Sequence, residues 1–171
     1  PRPMRLPLSP SLARLAALPL ALCLLAACGG SGEDALQAGV TKLSAGDYAG
    51  AAVLLEQAAK SQTAGSPGFK QANLALAQAR AHLDPKKAFS EFSELLGQHP
   101  ELIQADDVAR VANALSDVTS GILPAAELVE QYTKEFPDTA AAFAPIKKKI
   151  EARKNDVSDE DRKALESLGY L

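Results

Sequence analysis

Few side chains in this chain could do chemistry, and they are scattered. Cys23 lies inside an apolar run and Cys28 at its end, in the stretch ALCLLAACGGSGEDALQAG (residues 21–39). Two nearby thiols could form a disulfide, hold a soft metal or be modified. The two histidines, His82 and His99, form no His-x-x-x-His pair, so no transition-metal site is expected. Each is expected near a helix end, solvated or capping. Ser-x-x-Lys and Gly-x-Ser-x-Gly nucleophile motifs are absent, and Gly65-Ser66-Pro67-Gly68 lacks the Lys-Ser/Thr ending of a phosphate loop, so it reads as a turn. The acid pairs Glu33-Asp34 and Asp106-Asp107 are not followed by calcium-loop spacing. They are expected to complement the positive ends of helices. The chain therefore reads as a non-enzyme with no cofactor and no metal.

The thiols are decided by what surrounds them. Arg2, Arg5 and Arg14 are the only charges before Cys28, and residues 15–27 are uncharged and mostly Leu and Ala. A positive start, a short apolar run and small residues at its end describe a secretory signal. The run is too short to span a bilayer, which takes about 20 apolar residues, and Pro19 interrupts it. Cutting before Cys28 removes Cys23 and leaves a single thiol, which excludes a disulfide within the mature chain.

Leu25-Ala26-Ala27-Cys28 resembles the lipobox of bacterial lipoproteins. The resemblance implies diacylglycerol on the Cys28 sulfur, cleavage between Ala27 and Cys28, and an acylated amine. Burial of acyl chain contributes about 0.8 kcal/mol per CH2, and stable anchoring takes more than one chain. The plain alternative is an ordinary signal cut after Ala27 that leaves a free thiol. Gly29, standing where Asp would imply inner-membrane retention, implies the outer membrane facing the periplasm. Residues 28–32 then read as the lipidated Cys and a short flexible tether.

Of 18 basic and 21 acidic residues, three basic ones lie in residues 1–27, which leaves the rest of the chain at −6. That balance offers no basic stripe for nucleic acid. Alanine is abundant and Trp is absent, so helices are the expected elements.

A period of 37 residues runs through the middle of the chain. Ala51, Ala88 and Ala125 share it, as do Ala35, Ala72 and Ala109, and Ala38, Ala75 and Ala112. Leu55, Phe92 and Val129 keep the register, as do Ala58, Leu95 and Tyr132, and Pro100 and Pro137. Each unit is expected to be two helices. In the first, these cover 33–45, stopping near Gly46, and 48–61. Ser66-Pro67 and Asp84-Pro85 read as helix starts, a capping side chain before a proline. Second helices are expected at 85–97, ended by Gly97, and at 124–136.

Gly46-Asp47-Tyr48-Ala49-Gly50-Ala51, followed by Leu55 and Ala58, resembles the turn into the second helix of tetratricopeptide repeats. Ala88, Phe92, Leu95 and Pro100 match the same positions in the next unit, and Ala125, Val129, Tyr132 and Pro137 in the third. The family period is 34 residues, so the extra residues fall between units. The resemblance implies an all-α solenoid of about three helix-turn-helix units over 33–137, with capping helices over 138–171. In residues 139–154, Phe143, Ile146 and Ile150 share a face, Pro145 is expected to kink the helix, and Lys147, Lys148, Lys149, Arg153 and Lys154 form a solvated or headgroup-facing side. Ser158-Asp159-Glu160-Asp161 is expected to start a last helix whose Leu165 and Leu168 face inward.

The resemblance also implies a concave groove lined by the first helices, at Leu36, Val40, Lys70, Asn73, Ala77, Arg80, Arg110 and Asp117. The family's clamp for a C-terminal carboxylate wants Lys and Asn where Leu36 and Val40 stand, so that ligand is rejected. A partly apolar groove with Arg80 and Arg110 suits an amphipathic peptide or helix. The plain alternative for each residue is packing or solvent exposure. The chain thus reads as a membrane-anchored scaffold that binds a protein or peptide in the bacterial cell envelope. The alternative is a structural assembly factor of a larger envelope complex.

Overall fold

The computed structural model describes residues 32–156 and position 163. The signal, Cys28 and the start expected at Ser158 lie outside the described residues. The described residues are all helical in architecture, with no strand among them. Seven α-helices follow in order: α1 (Gly32–Ser44), α2 (Tyr48–Ser61), α3 (Pro67–Ala81), α4 (Pro85–Gln98), α5 (Ala105–Ser116), α6 (Ile122–Glu135) and α7 (Ala144–Asp156). Short 3-10 segments, Thr119–Gly121 and Pro137–Phe143, precede α6 and α7.

Local chemistry sets the ends. Gly46 takes φ +78, a left-handed conformation that glycine adopts without penalty. Its N–H donates to the Leu43 carbonyl at 3.0 Å, and the Asp47 N–H donates to the Lys42 carbonyl at 3.0 Å. This paired closure satisfies the last carbonyls of α1. Asp47 then opens α2, its carboxylate accepting the Gly50 N–H at 2.9 Å and pairing with the Lys42 ammonium. Ser66 Oγ accepts the Phe69 N–H at 3.1 Å and Asp84 Oδ1 accepts the Lys87 N–H at 3.0 Å, each with proline at the first helical position. Gly97 does not end α4. The helix runs on to Gln98, because α geometry at Gly97 meets no obstacle and His99 supplies the cap. Pro145 does not kink α7 either; it sits in the first turn, where its missing N–H costs nothing.

Helix α3 is the centre. It packs on α1, α2, α4 and α5, and its buried residues are almost continuous from Ala72 to Ala81. Its small and apolar side chains seat it between two cores, while its polar ones face the gaps between its neighbours. Ala72, Ala75, Leu76 and Ala79 face a core shared with Ala35, Leu36, Ala51, Leu55 and Ala58. Leu74, Ala77 and Ala81 face a second core built around Phe92, Val108, Leu115, Leu128, Val129 and Phe143. Burying a side chain such as Leu55 or Phe92 contributes about 1.5–3 kcal/mol.

The 37-residue columns of the second helices are buried throughout. Ala51, Ala88 and Ala125 have no exposed surface, and Leu55, Phe92 and Val129 at most 1%. The first-helix columns are uneven. Ala75 and Ala112 are buried, whereas Ala38 is exposed, because the flank of α1 that bears it has no preceding helix among the described residues. The two junctions also differ. At the first, α2 rests on α3; at the second, α4 rests on α6 while α5 rests on α3. The α4–α5 connection buries its own Ile103 in the larger core.

Gly39 marks a close crossing of α1 and α2 in the smaller core. A Cβ there would stand 2.6 Å from Leu55 Cγ, and Leu55 is fully buried and cannot yield. Gly39→Ala is therefore expected to lower stability by about 1–2 kcal/mol, overpacking outweighing the better helix propensity. At Gly97 a Cβ meets nothing within 4 Å, so Gly97→Ala is expected to raise stability by about 1 kcal/mol. Urea denaturation of the two variants, followed by circular dichroism, checks the opposite signs.

Candidate functional site

Two clefts flank α3. The larger, about 740 Å³, lies on the side of α1, α3 and α5. Its floor is Val40, Leu43, Leu74 and Ala75, and its rim carries the amides of Gln71, Gln78 and Gln104. At one end stand Lys70, Asp107 and Arg110. The smaller, about 480 Å³, opens between α2 and α4 above α3, over Phe69, Leu76, Ala77, Phe92 and Leu95.

Asp107 holds the first cleft together. It lies in the first turn of α5 and is 2% exposed. Lys70 of α3 reaches its Oδ2 at 2.6 Å, Arg110 pairs with Oδ1, and the Gln104 N–H donates to Oδ2 at 3.0 Å. Burial alone would push this carboxyl up. The hydrogen bonds from Lys70, Gln104 and Arg110 outweigh burial and hold it below the usual carboxylate range. Burial is also the main cause that pushes Tyr132 up, with the Asp107 charge adding to it.

The second cleft is crossed by Arg80, whose side chain is 14% exposed. Its guanidinium pairs with Glu56 of α2 at 2.7 Å and with Glu91 of α4. Both glutamates are well exposed, so each pair contributes little by itself. Together they strap α2 to α4 across α3. Glu56 is also held below its ordinary range, chiefly by a hydrogen bond from Lys60.

The residues expected to share one groove are therefore divided. Val40, Lys70 and Arg110 line the α1–α3–α5 cleft. Asn73, Ala77 and Arg80 line the other one, and the Asn73 amide donates to the Phe69 carbonyl at 2.9 Å. Leu36 lines neither cleft; it is 7% exposed and belongs to the smaller core. Asp117 is spent at the far end of α5, where its carboxylate takes the Lys149 ammonium at 2.7 Å. Lys149 also donates to Asn113 Oδ1 at 2.6 Å, and Arg153 to the Asp117 carbonyl at 3.2 Å. These two α7 cations thus cap the carboxyl end of α5, where the helix dipole favours positive charge, and are not a solvated face.

Both histidines cap helices and also pack. His82 ends α3 and stacks on Tyr48 with ring centroids 3.9 Å apart. His99 ends α4 with its ring edge-on to Phe69 at 5.5 Å. Asp107 went unrecognised as an anchor in the sequence, although a signal for it is there. Lys70 and Asp107 stand one 37-residue period apart with opposite charges, the pattern of an ion pair between equivalent helices. Among the described residues no group of three or more His, Cys, Asp and Glu converges on a point that could hold a metal.

Comparison with protein-family models, with curated proteins and with solved structures gives no match.

The Asp107 cluster has a signed pH dependence. Its carboxyl is held below the unfolded value of 3.8, so its stabilisation is complete above that value and is lost as pH falls through the lower folded one. Asp107→Asn is expected to cost about 1–3 kcal/mol at neutral pH through the loss of charge-assisted hydrogen bonds. The gap between variant and parent is expected to stay level from neutrality down to about pH 5 and to close below about pH 4. Urea melts across that range check it; a gap that widens on acidification would contradict the assignment.

Proposed function

We propose that this chain is a lipid-anchored bacterial envelope protein whose helical repeats form a scaffold for a protein or peptide partner. The observation that carries the binding part is the cleft across α1, α3 and α5. It combines an apolar floor with amide side chains, and its two cations, Lys70 and Arg110, are matched in number by the carboxylates of Asp106 and Asp107, the latter paired with both. Such a surface suits a partner segment that brings apolar side chains to the floor and backbone groups to the glutamines. What supports the anchor is Leu25-Ala26-Ala27-Cys28 behind a basic, apolar leader. With the domain beginning a few residues after Cys28, the lipid would hold the cleft close to the membrane, raising the effective concentration of any partner there. The envelope location, the outer membrane and a non-enzymatic role belong to the same reading. The resemblance to tetratricopeptide repeats supports the solenoid form, with the unlike junctions marking a divergent one.

A second reading is favoured by the internal pairing of Lys70, Arg80, Arg110 and Asp117. A face whose charges are spent internally fits a fixed structural contact, and so an assembly factor of a larger envelope complex.

Two measurements test this. Labelled palmitate is expected to mark the parent chain and not Cys28→Ser, and the variant is expected to leave the membrane fraction. A photo-cross-linking residue at Gln78 is expected to trap a discrete partner in intact cells. Label on neither form would remove the anchor, and no adduct from Gln78 would remove the cleft. Recovery of a large membrane complex from Gln78 would select the assembly role.

A further inference from the structure

We propose that the α1–α2 hairpin rocks about α3 against the rest of the domain, and that the Arg80 strap sets this rocking and with it the width of the α1–α3–α5 cleft. The rocking stands on the packing alone. Its effect on a partner rests on the use proposed for that cleft.

The packing divides the domain along α3. Helices α1 and α2 meet the other helices almost wholly through it. Their core takes Ala72, Ala75, Leu76 and Ala79 from α3, and the larger core takes Leu74, Ala77 and Ala81. Both clefts open on this dividing line, one between α2 and α4, the other between α1 and α5. They lie on opposite sides of α3. Asn73 and Arg80 line one, Gln71 and Gln78 the other, and at 100° per residue each pair stands about 160° around the helix from its counterpart. A hairpin that turns about α3 so as to part α2 from α4 therefore carries α1 toward α5. Widening one cleft narrows the other.

The period shows that the first junction is built differently from the second. Glu56, Arg80 and Glu91 stand 37 residues before Ser93, Asp117 and Leu128. At the second junction Leu128 is fully buried in the larger core and Ser93 Oγ is buried as well, so α4 and α6 close on each other. At the first, Glu91 stands in the place of that leucine, and α2 and α4 leave a gap over Phe92 and Leu95. A row of alternating charges crosses it: Lys60, Glu56, Arg80, Glu91 and Lys87. Arg80 is the middle member, and the two arms of its guanidinium reach opposite helices, which the single ammonium of a lysine could not do. Both glutamates are well exposed, so the row is held weakly enough to give way. Without Arg80, two carboxylates face each other across the gap. Without the carboxylates, three cations do. Either change pushes α2 away from α4.

The test measures electron–electron distances in the full chain between nitroxides carried on p-acetylphenylalanine, which leaves the cysteines alone. Gln57 paired with Ser90 reports the gap between α2 and α4, and Thr41 paired with Asp106 reports the gap between α1 and α5; all four positions are exposed. Arg80→Gln is compared with the parent. Glu56→Gln/Glu91→Gln, which alters only exposed side chains, repeats the comparison without touching the half-buried arginine. In each variant the first distance is expected to lengthen by about 2 Å and the second to shorten by a similar amount, the scale of a packed-helix shift. Unchanged distances in both variants overturn the strap, and distances that move in the same sense overturn the rocking. Partner trapped from Gln78 is expected to fall about fivefold as α1 closes on α5, the low end of a coupling between two sites. Opposed shifts with unchanged trapping would uphold the rocking and overturn its control of the cleft. A parent that traps nothing from Gln78 would overturn the reading of the cleft itself, while the distances still decide the rocking.

Discussion

The fold depends on how closely its helices approach. Ala51, Ala58, Ala72, Ala79, Ala88, Ala112 and Ala125 have no exposed surface, and Gly39 lies directly against Leu55. Small residues at a crossing let two axes come near the short end of the usual 8–10 Å range, and a large neighbour fills the space beside them. Each unit uses the pair: Ala51 with Leu55, Ala88 with Phe92, Ala125 with Val129. The polar contacts depend on that spacing. A 2.6 Å bond between Lys70 and Asp107 requires α3 and α5 to be fixed to within fractions of an ångström, and only the apolar seams can set that.

Helix α3 distributes this constraint to both sides. Its alanines give it a face for each core, and its ionic side chains stitch the flanks. Lys70 ties it to α5 through Asp107, and Arg80 ties α2 to α4 over its back. Once these charges are spent, the open face of α1, α3 and α5 retains amides and aliphatic surface. The cleft is therefore nearly neutral although Lys70, Asp106, Asp107 and Arg110 all line it.

Much of this order is legible in the residues. The caps at Asp47, Ser66 and Asp84 are local, so the helices start where the sequence indicates. The second-helix columns are legible because a buried face tolerates little besides Ala, Leu and aromatic side chains. The groove was less so. Lys70 and Arg80 are ten residues apart, about 80° on a helix of 3.6 residues per turn, enough to turn them into different clefts. Asn73 falls on the side of Arg80 for the same reason. The burial of Leu36 and the exposure of Ala38 depend on which flank of α1 meets α2 and α3, a tertiary fact that the period alone does not carry. The pairing of Lys149 with Asp117 likewise requires the orientation of α7 on α5, which no local motif specifies.

The two cores are unequal, and the smaller one belongs to the hairpin nearest the start of the domain. It is built mostly of alanine, with Leu36, Leu55 and Leu76 as its large members. The other contains Phe92 and Phe143, three valines and three isoleucines. Any mechanical load entering along the backbone from residue 31 acts first on α1. The hairpin of α1 and α2 meets that load with close backbone approach, since its seam to α3 is made of alanine and leucine and contains no buried aromatic side chain.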